Sequence, residues 1–229
     1  GCYAVAAGAR GAPPERVAGD GIGRAVARLF AAEGAAVVAA DLGVDRDGRG
    51  EDPGVARGVA GQIVAQGGRA IAVTESVATT RGATAIVAAA VEGFGRLDVL
   101  VNVAGLGGDA PLDEVADLGW EAVLGAQATG TLRTMRAALP ALRAARGRIV
   151  NTTSLAGFIG GAGQACHAAA DAAVHALTRT AAIELQRHGV TVNAVVPLAR
   201  TRLTEGLPQL AEVDALTPEH VGEDRKSVV

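Results

Sequence analysis

The sequence predicts an α/β fold, a doubly wound parallel sheet in three α/β/α layers, and three observations carry that expectation. Six short aliphatic runs of strand length alternate with five longer, Ala-rich stretches of helical length, the pattern of buried strands and the helices that cover them. A glycine-rich turn follows the first run and feeds the first helical stretch. Ala supplies 51 of the 229 residues and Gly 32, so the layers can approach closely; the 49% hydrophobic content rests on short aliphatics, not on the 2% aromatics.

In chain order, the strand Tyr3–Ala7 leads through the glycine turn to a helix over Gly21–Glu33. The strand Ala36–Ala40 ends at Asp41 and is followed by a helix over Pro53–Gln66. The strand Arg69–Val73 precedes a helix over Thr79–Phe94, and Val99–Val103 precedes a long helix over Leu118–Ala145 that Trp120 is expected to anchor to the core. The last pair of strands, Arg148–Thr152 and Thr191–Val196, brackets a helix over Gln164–His188. Each helix ends near Gly or a basic residue, as helix stops do. The whole chain, 1–229, reads as one domain, interrupted at 12–20 by an insertion holding Pro13 and Pro14. Beyond Leu207 the sequence turns polar and carries no clear seventh strand, so either the chain is truncated there or its assembly differs, and a first residue Gly in place of Met fits an incomplete or a processed N-terminus equally.

Composition excludes several function classes. Lys plus Arg is 21 and Asp plus Glu 24, a formal charge of −3 with no block of one sign, so no nucleic-acid partner or anionic membrane surface is expected. No apolar run approaches the ~20 residues of a membrane span. Two cysteines, Cys2 and Cys166, make neither a disulfide framework nor a metal-ligand pair, which fits a cytoplasmic protein. Cys166 reads as a small buried hydrophobe.

In doubly wound sheets ligands bind beyond the carboxyl ends of the strands, so the residues just after each strand carry the functional argument. Gly8-Ala9-Arg10-Gly11 and then Gly21-Ile22-Gly23 at a helix start would let a diphosphate approach the backbone and meet the positive end of the helix dipole. Asp41, closing the second strand, offers a carboxylate to both hydroxyls of an adenosine ribose and would repel a 2′-phosphate, favouring NAD over NADP.

Together with Asn102-Val-Ala-Gly105 after the fourth strand and Ser154 after the fifth, these residues resemble the short-chain dehydrogenase/reductase family over nearly the whole chain. The segment Asp41–Gly50 is similar to the branch of 3-hydroxyacyl-thioester dehydrogenases found in multifunctional β-oxidation enzymes. The resemblance implies a Rossmann-type fold, dimers or tetramers, a nicotinamide cofactor, and hydride transfer between an alcohol and a carbonyl substrate. It further implies that Gly8, Gly21, Ile22 and Gly23 form the diphosphate turn and that Asp41 binds the ribose. On the same ground Glu75 stands where an acid contacts adenine, Asn102, Ala104 and Gly105 form the element after the fourth strand, and Thr201 meets the nicotinamide amide.

The departures are equally specific. Gly8 and Gly21 are thirteen positions apart where the family has four. Such lengthening costs only about 1 kcal/mol of loop closure, but Glu15 and Asp20 bring carboxylates toward a dianionic ligand. Where the family carries a Tyr thirteen residues after the Ser, a Lys four residues later and an Asn on the preceding helix, this chain has His167, Asp171 and Gln127; only Ser154 is kept. The single Tyr is Tyr3 and the single Lys is Lys226, so no other residue of these types can supply the missing pair.

The exchange is consistent in sign. A phenol, with a pKa near ~10, needs a cation to act near neutrality, whereas an imidazole starts near ~6.5 and needs at most an anion. His167 and Asp171, four residues apart on one helix, can meet. Imidazole is shorter than phenol, so a water is expected to bridge it to the substrate oxygen. Asp171 would favour the cationic, oxidised nicotinamide. Two readings follow: an NAD-linked oxidoreductase using a His–Asp pair, or a catalytically silent member acting as a nucleotide-binding or subunit scaffold. A hydrolase built on Ser154, His167 and Asp171 is disfavoured, because Thr152-Thr153-Ser154-Leu155-Ala156 contains no Gly-x-Ser-x-Gly nucleophile turn.

Overall fold

The computed structural model describes residues 21–199 and 217–221 and, as backbone only, residues 3–7. Gly8, Thr201, the 12–20 insertion and most of the 207–229 tail therefore lie outside the described residues. The six strands are β1 (Tyr3–Ala7), β2 (Ala36–Ala40), β3 (Arg69–Val73), β4 (Val99–Asn102), β5 (Arg148–Thr152) and β6 (Thr191–Val195). They form one parallel sheet in the order β3-β2-β1-β4-β5-β6. The order reverses between β1 and β4, whose ends lie side by side at Ala7 and Asn102, and this reversal opens the ligand crevice of such sheets.

Alternation along each strand builds two cores. Val37, Ala39, Val99, Val101 and Val150 face α1 (Ile22–Ala32) and α2 (Pro53–Ala65). Val38, Ala40, Leu100, Ile149 and Val192 face α3 (Thr80–Phe94), α5 (Gly130–Ala145) and α7 (Ala165–Leu185). The continuous aliphatic strands of the sequence are thus explained by burial on both faces. Local chemistry sets the helix ends. Asp52 accepts from the Gly54 amide ahead of Pro53, Thr79 accepts from the Gly82 amide, and Gly95 closes α3 at φ +81°.

Two elements differ from expectation. The long helix is not one α-helix: α4 (Asp117–Leu124) passes into a π-helical turn, Gly125–Thr129, and then into α5. Gly130, at the junction, sits so close to Val77 that a Cβ would stand 2.8 Å from its Cγ2, and the widened turn begins at a second glycine. A short helix, α6 (Ala156–Ile159), follows Ser154 in the stretch between the fifth strand and the last helix, to which the sequence assigned no element. Trp120 is also corrected: it is 39% exposed and Leu118 81%, and the residue of α4 that is buried is Val123, so the small aliphatic side chain and not the indole seats this helix. Cys166 is buried as expected. Among the described residues no helix is long and apolar enough to cross a membrane.

Candidate active site

Two cavities lie along the carboxyl ends of the strands and share Ala104 and Gly105 as their common wall. The first, of about 200 Å³, is bounded by Asp41, Leu42, Glu75, Val77 and Leu106. Asp41 is buried, and its Oδ1 accepts from the Gly43 amide at 2.7 Å, so the carboxylate that closes β2 also fixes the turn that follows it, whose Leu42 and Val44 line the same cavity. Glu75 forms an ion pair with Arg81 at 3.2 Å, near the start of α3. The carboxylate expected beside adenine is therefore held at the cavity wall by a cation on the helix.

The second cavity, of about 210 Å³, gathers Ile22, Asn102, Gln127, Ser154, His167 and Asp171, together with Pro197 and Leu198. Below it runs a buried polar network. Asn102 Nδ2 donates to Asn151 Oδ1 at 2.9 Å, and Asn151 Nδ2 donates to Thr178 Oγ1 at 2.9 Å. The Thr134 hydroxyl donates to Asn102 Oδ1 at 2.7 Å, and the Thr152 hydroxyl to the Asn102 carbonyl at 2.7 Å. The Asn102 side chain is thereby committed to joining β4 to β5 and α5, so its part at the site is to fix the strand ends.

Above this network stand the replaced residues. Gln127, presented by the π turn, places its Nε2 3.3 Å from His167 Nδ1, while its Oε1 is buried without a hydrogen-bond partner. Wide turns of this kind recur at functional sites because the extra residue re-aims one side chain. Gly105 allows the approach: a Cβ there would stand 3.1 Å from Gln127 Nε2. His167 Nε2 faces Asp109 Oδ1 at 3.7 Å. Asp171 is 5% exposed; burial raises its carboxyl pKa, while a hydrogen bond from Ser154 and the nearby imidazole lower it. The His–Asp pairing expected from i, i+4 spacing is thus altered, with Asp171 bonded to Ser154 and acting on His167 through space. The ring nitrogens of His167 instead meet Gln127 and a carboxylate from another loop.

Asp109 is the residue that sequence reasoning missed. It lies four positions beyond Gly105, in the same loop after β4, and its placement was the available signal. Chemically the cavity combines a hydroxyl, an imidazole and two carboxylates, the components of acid–base transfer at an oxygen. Phe158 is half-exposed and packs edge-on against His175 with ring centroids 4.4 Å apart, which gives His175 a packing role.

The profile of the short chain dehydrogenases matches residues 17–209. A short-chain type dehydrogenase/reductase of Mycobacterium tuberculosis is 38% identical over 205 residues, which cover 89% of this chain and 72% of that protein. A peroxisomal multifunctional enzyme type 2 of Mus musculus is 36% identical over 89% of this chain, which spans only 28% of that longer enzyme. A 3-oxoacyl-[acyl-carrier-protein] reductase of Synechocystis is 39% identical over 83% of the chain and 74% of its own length. Among solved structures, a short chain dehydrogenase from Mycobacterium avium superposes with a TM-score of 0.82 at 40% identity, covering 98% of this chain and 76% of its own. With its sheet order, its strand-end cavities and these likenesses in agreement, the chain belongs to the short-chain dehydrogenase/reductase family of oxidoreductases.

Proposed function

We propose that this chain is an NAD-linked oxidoreductase acting between an alcohol and a carbonyl, with His167 as the group that moves the proton. The observation that carries the reading is the convergence of Ser154, His167, Gln127 and Asp171 on one cavity at the ends of β4 and β5. The described residues fit a dinucleotide at its two ends. The first cavity offers the Asp41 carboxylate for ribose hydroxyls beside the apolar Val77 and Leu106, and the second offers the apolar side chains of Ile22, Pro197 and Leu198. A nicotinamide held there supplies or accepts the hydride.

The chain's own residues do the remaining work. The Ser154 hydroxyl orients the substrate oxygen. In the reductive direction, protonated His167 gives its Nε2 proton to that oxygen and keeps the proton on Nδ1; in the oxidative direction, neutral His167 takes the alcohol proton on Nε2. Asp171, in the place of the family's cation, accepts from ribose hydroxyls. Support for a 3-hydroxyacyl or 3-ketoacyl thioester as substrate comes from the similarity to the multifunctional enzyme and to the 3-oxoacyl reductase. Small molecules of this kind, and a homo-oligomer, are the partners expected.

One observation favours the silent alternative: both ring nitrogens of His167 already face protein groups. Calorimetric titration with NAD⁺, NADH and NADP⁺ separates the readings. Micromolar binding that prefers the unphosphorylated dinucleotide, followed by turnover lost in His167→Ala, supports the oxidoreductase. Absence of binding by all three, or turnover unchanged in His167→Ala, overturns it.

A further inference from the structure

The loop after β4 runs Gly105-Leu-Gly-Gly-Asp109, and its glycines are steric requirements. At Gly107 a Cβ would stand 2.6 Å from Arg46 Cγ, and at Gly108 2.7 Å from Val123 Cγ2. The loop is thereby drawn onto α4 on one side and under Arg46 on the other. Backbone bonds pin it on both sides of Asp109: Gly107 N donates to the Arg46 carbonyl at 2.7 Å, and Ala110 N to the Gly163 carbonyl at 2.8 Å. Gly163 lies just before α7, the helix that carries His167.

The Asp109 carboxylate is consequently divided between two neighbours. Its Oδ2 lies 3.4 Å from Arg46 Nη2, and its Oδ1 lies 3.7 Å from His167 Nε2. On the far side of the ring, Nδ1 meets the Gln127 amide. His167 sits in the first turn of α7, where the helix N-terminus disfavours a cation, so a carboxylate outside the helix is what offsets it. The charged groups around the ring are Asp109 from the β4 loop, Asp171 from α7 itself, and Arg46 behind Asp109.

We propose that Asp109, oriented by Arg46, is the positioning carboxylate for His167, and that the Gln127 amide selects which ring nitrogen keeps its proton. The inference rests on His167 as the proton-moving group. With the amide nitrogen toward Nδ1, the neutral ring carries its proton on Nε2 and cannot accept a second one there. Turned over, the amide presents Oε1, the atom now buried without a partner, to an Nδ1–H. That orientation holds both states the reaction needs: imidazolium, with Nε2–H toward Asp109 or substrate, and the neutral Nδ1–H form, whose Nε2 is free to accept. When the N–H bond at Nε2 breaks, an O–H bond forms on the substrate oxygen. The proton is then restored from water past Asp109, whose side chain is 39% exposed.

The test uses the full chain labelled with ¹⁵N-histidine, following the ring nitrogens of His167 against pH; the other three histidines are distinguished by the signal lost in His167→Gln. Asp109→Asn is expected to move the His167 titration midpoint to lower pH by about half a unit or more, with Asp109→Glu restoring most of it. Asp171→Asn should move it less. Gln127→Leu should shift the neutral ring further toward the Nε2–H form. A midpoint unchanged in Asp109→Asn, or moved more by Asp171→Asn, overturns the proposal. Because Asp109 is partly exposed, its variants should melt as the parent does. The readout needs no bound dinucleotide, so it stands apart from the turnover test: unchanged turnover in His167→Ala would remove the oxidoreductase reading and leave the Asp109–His167 pairing intact.

Discussion

The two cavities meet at Ala104 and Gly105 but have diverged to different degrees. The first keeps acids where the family is expected to bind adenosine, with Asp41 closing β2 and Glu75 fixed by Arg81. The second keeps only Ser154 of the four expected catalytic side chains, yet the polar network beneath it is fully bonded from Thr134 through Asn102 and Asn151 to Thr178. The framework that aims side chains and the side chains it aims are therefore separable. A sheet end held by buried amides stays in place while the groups above it change.

The largest expected effect is at the second cavity. His167→Ala should lower turnover by about 10²- to 10⁴-fold, the usual worth of a positioned acid–base group, while NAD affinity stays within about threefold. Steady-state rates beside calorimetry check it, and a parallel fall in affinity would break the division between the cavities. Next, Asp41→Ala should weaken NAD binding about tenfold or more and narrow the preference over NADP⁺, since a charge-assisted hydrogen bond contributes ~1.5–3 kcal/mol and each 1.4 kcal/mol is tenfold. Rates at saturating dinucleotide should change little.

The framework is tested by Asn151→Ala, which leaves Asn102 Nδ2 without its buried acceptor. Urea unfolding should show about 2–4 kcal/mol lost. The smallest effect is at Asp171. Burial raises its pKa in the folded protein, so the stability linked to that site is present at acid pH and is lost as pH rises through the raised value. Asp171→Asn should therefore raise the melting temperature at neutral pH, by roughly 2–4 °C for each kcal/mol relieved. The gain should fade toward pH 4, and a gain that grew on acidification would contradict the sign.

The strands were legible almost to the residue, because a strand buried on both faces is written as an uninterrupted aliphatic run: Val37 and Val38 are both fully covered, from opposite sides. The positions of Gln127, Ser154, His167 and Asp171 were legible through spacing against the family. What spacing could not supply was the partner of His167. An i, i+4 relation puts Asp171 within reach, but which groups bond depends on packing: Asp171 is buried with a hydrogen bond from Ser154 and acts on His167 through its charge. Asp109 reaches the ring only because the β4 loop is pinned to Arg46 and Gly163, contacts between segments distant in sequence. The π turn was hidden for a related reason. Its Gly-Ala-Gln-Ala-Thr sequence suits an α-helix, and only the crowding of Gly130 against Val77 marks the spot.

That turn carries one residue more than an α-helix needs over the same rise. A single-residue deletion between Gly125 and Thr129 could be absorbed by returning to ordinary helix, leaving α4 and α5 in one continuous rod. The side chains on one side of the deletion would then be rotated by about 100° relative to those on the other. The helix thus behaves as a vernier: one step of chain length sets whether the amide of Gln127 points at the imidazole, without repacking of the sheet below.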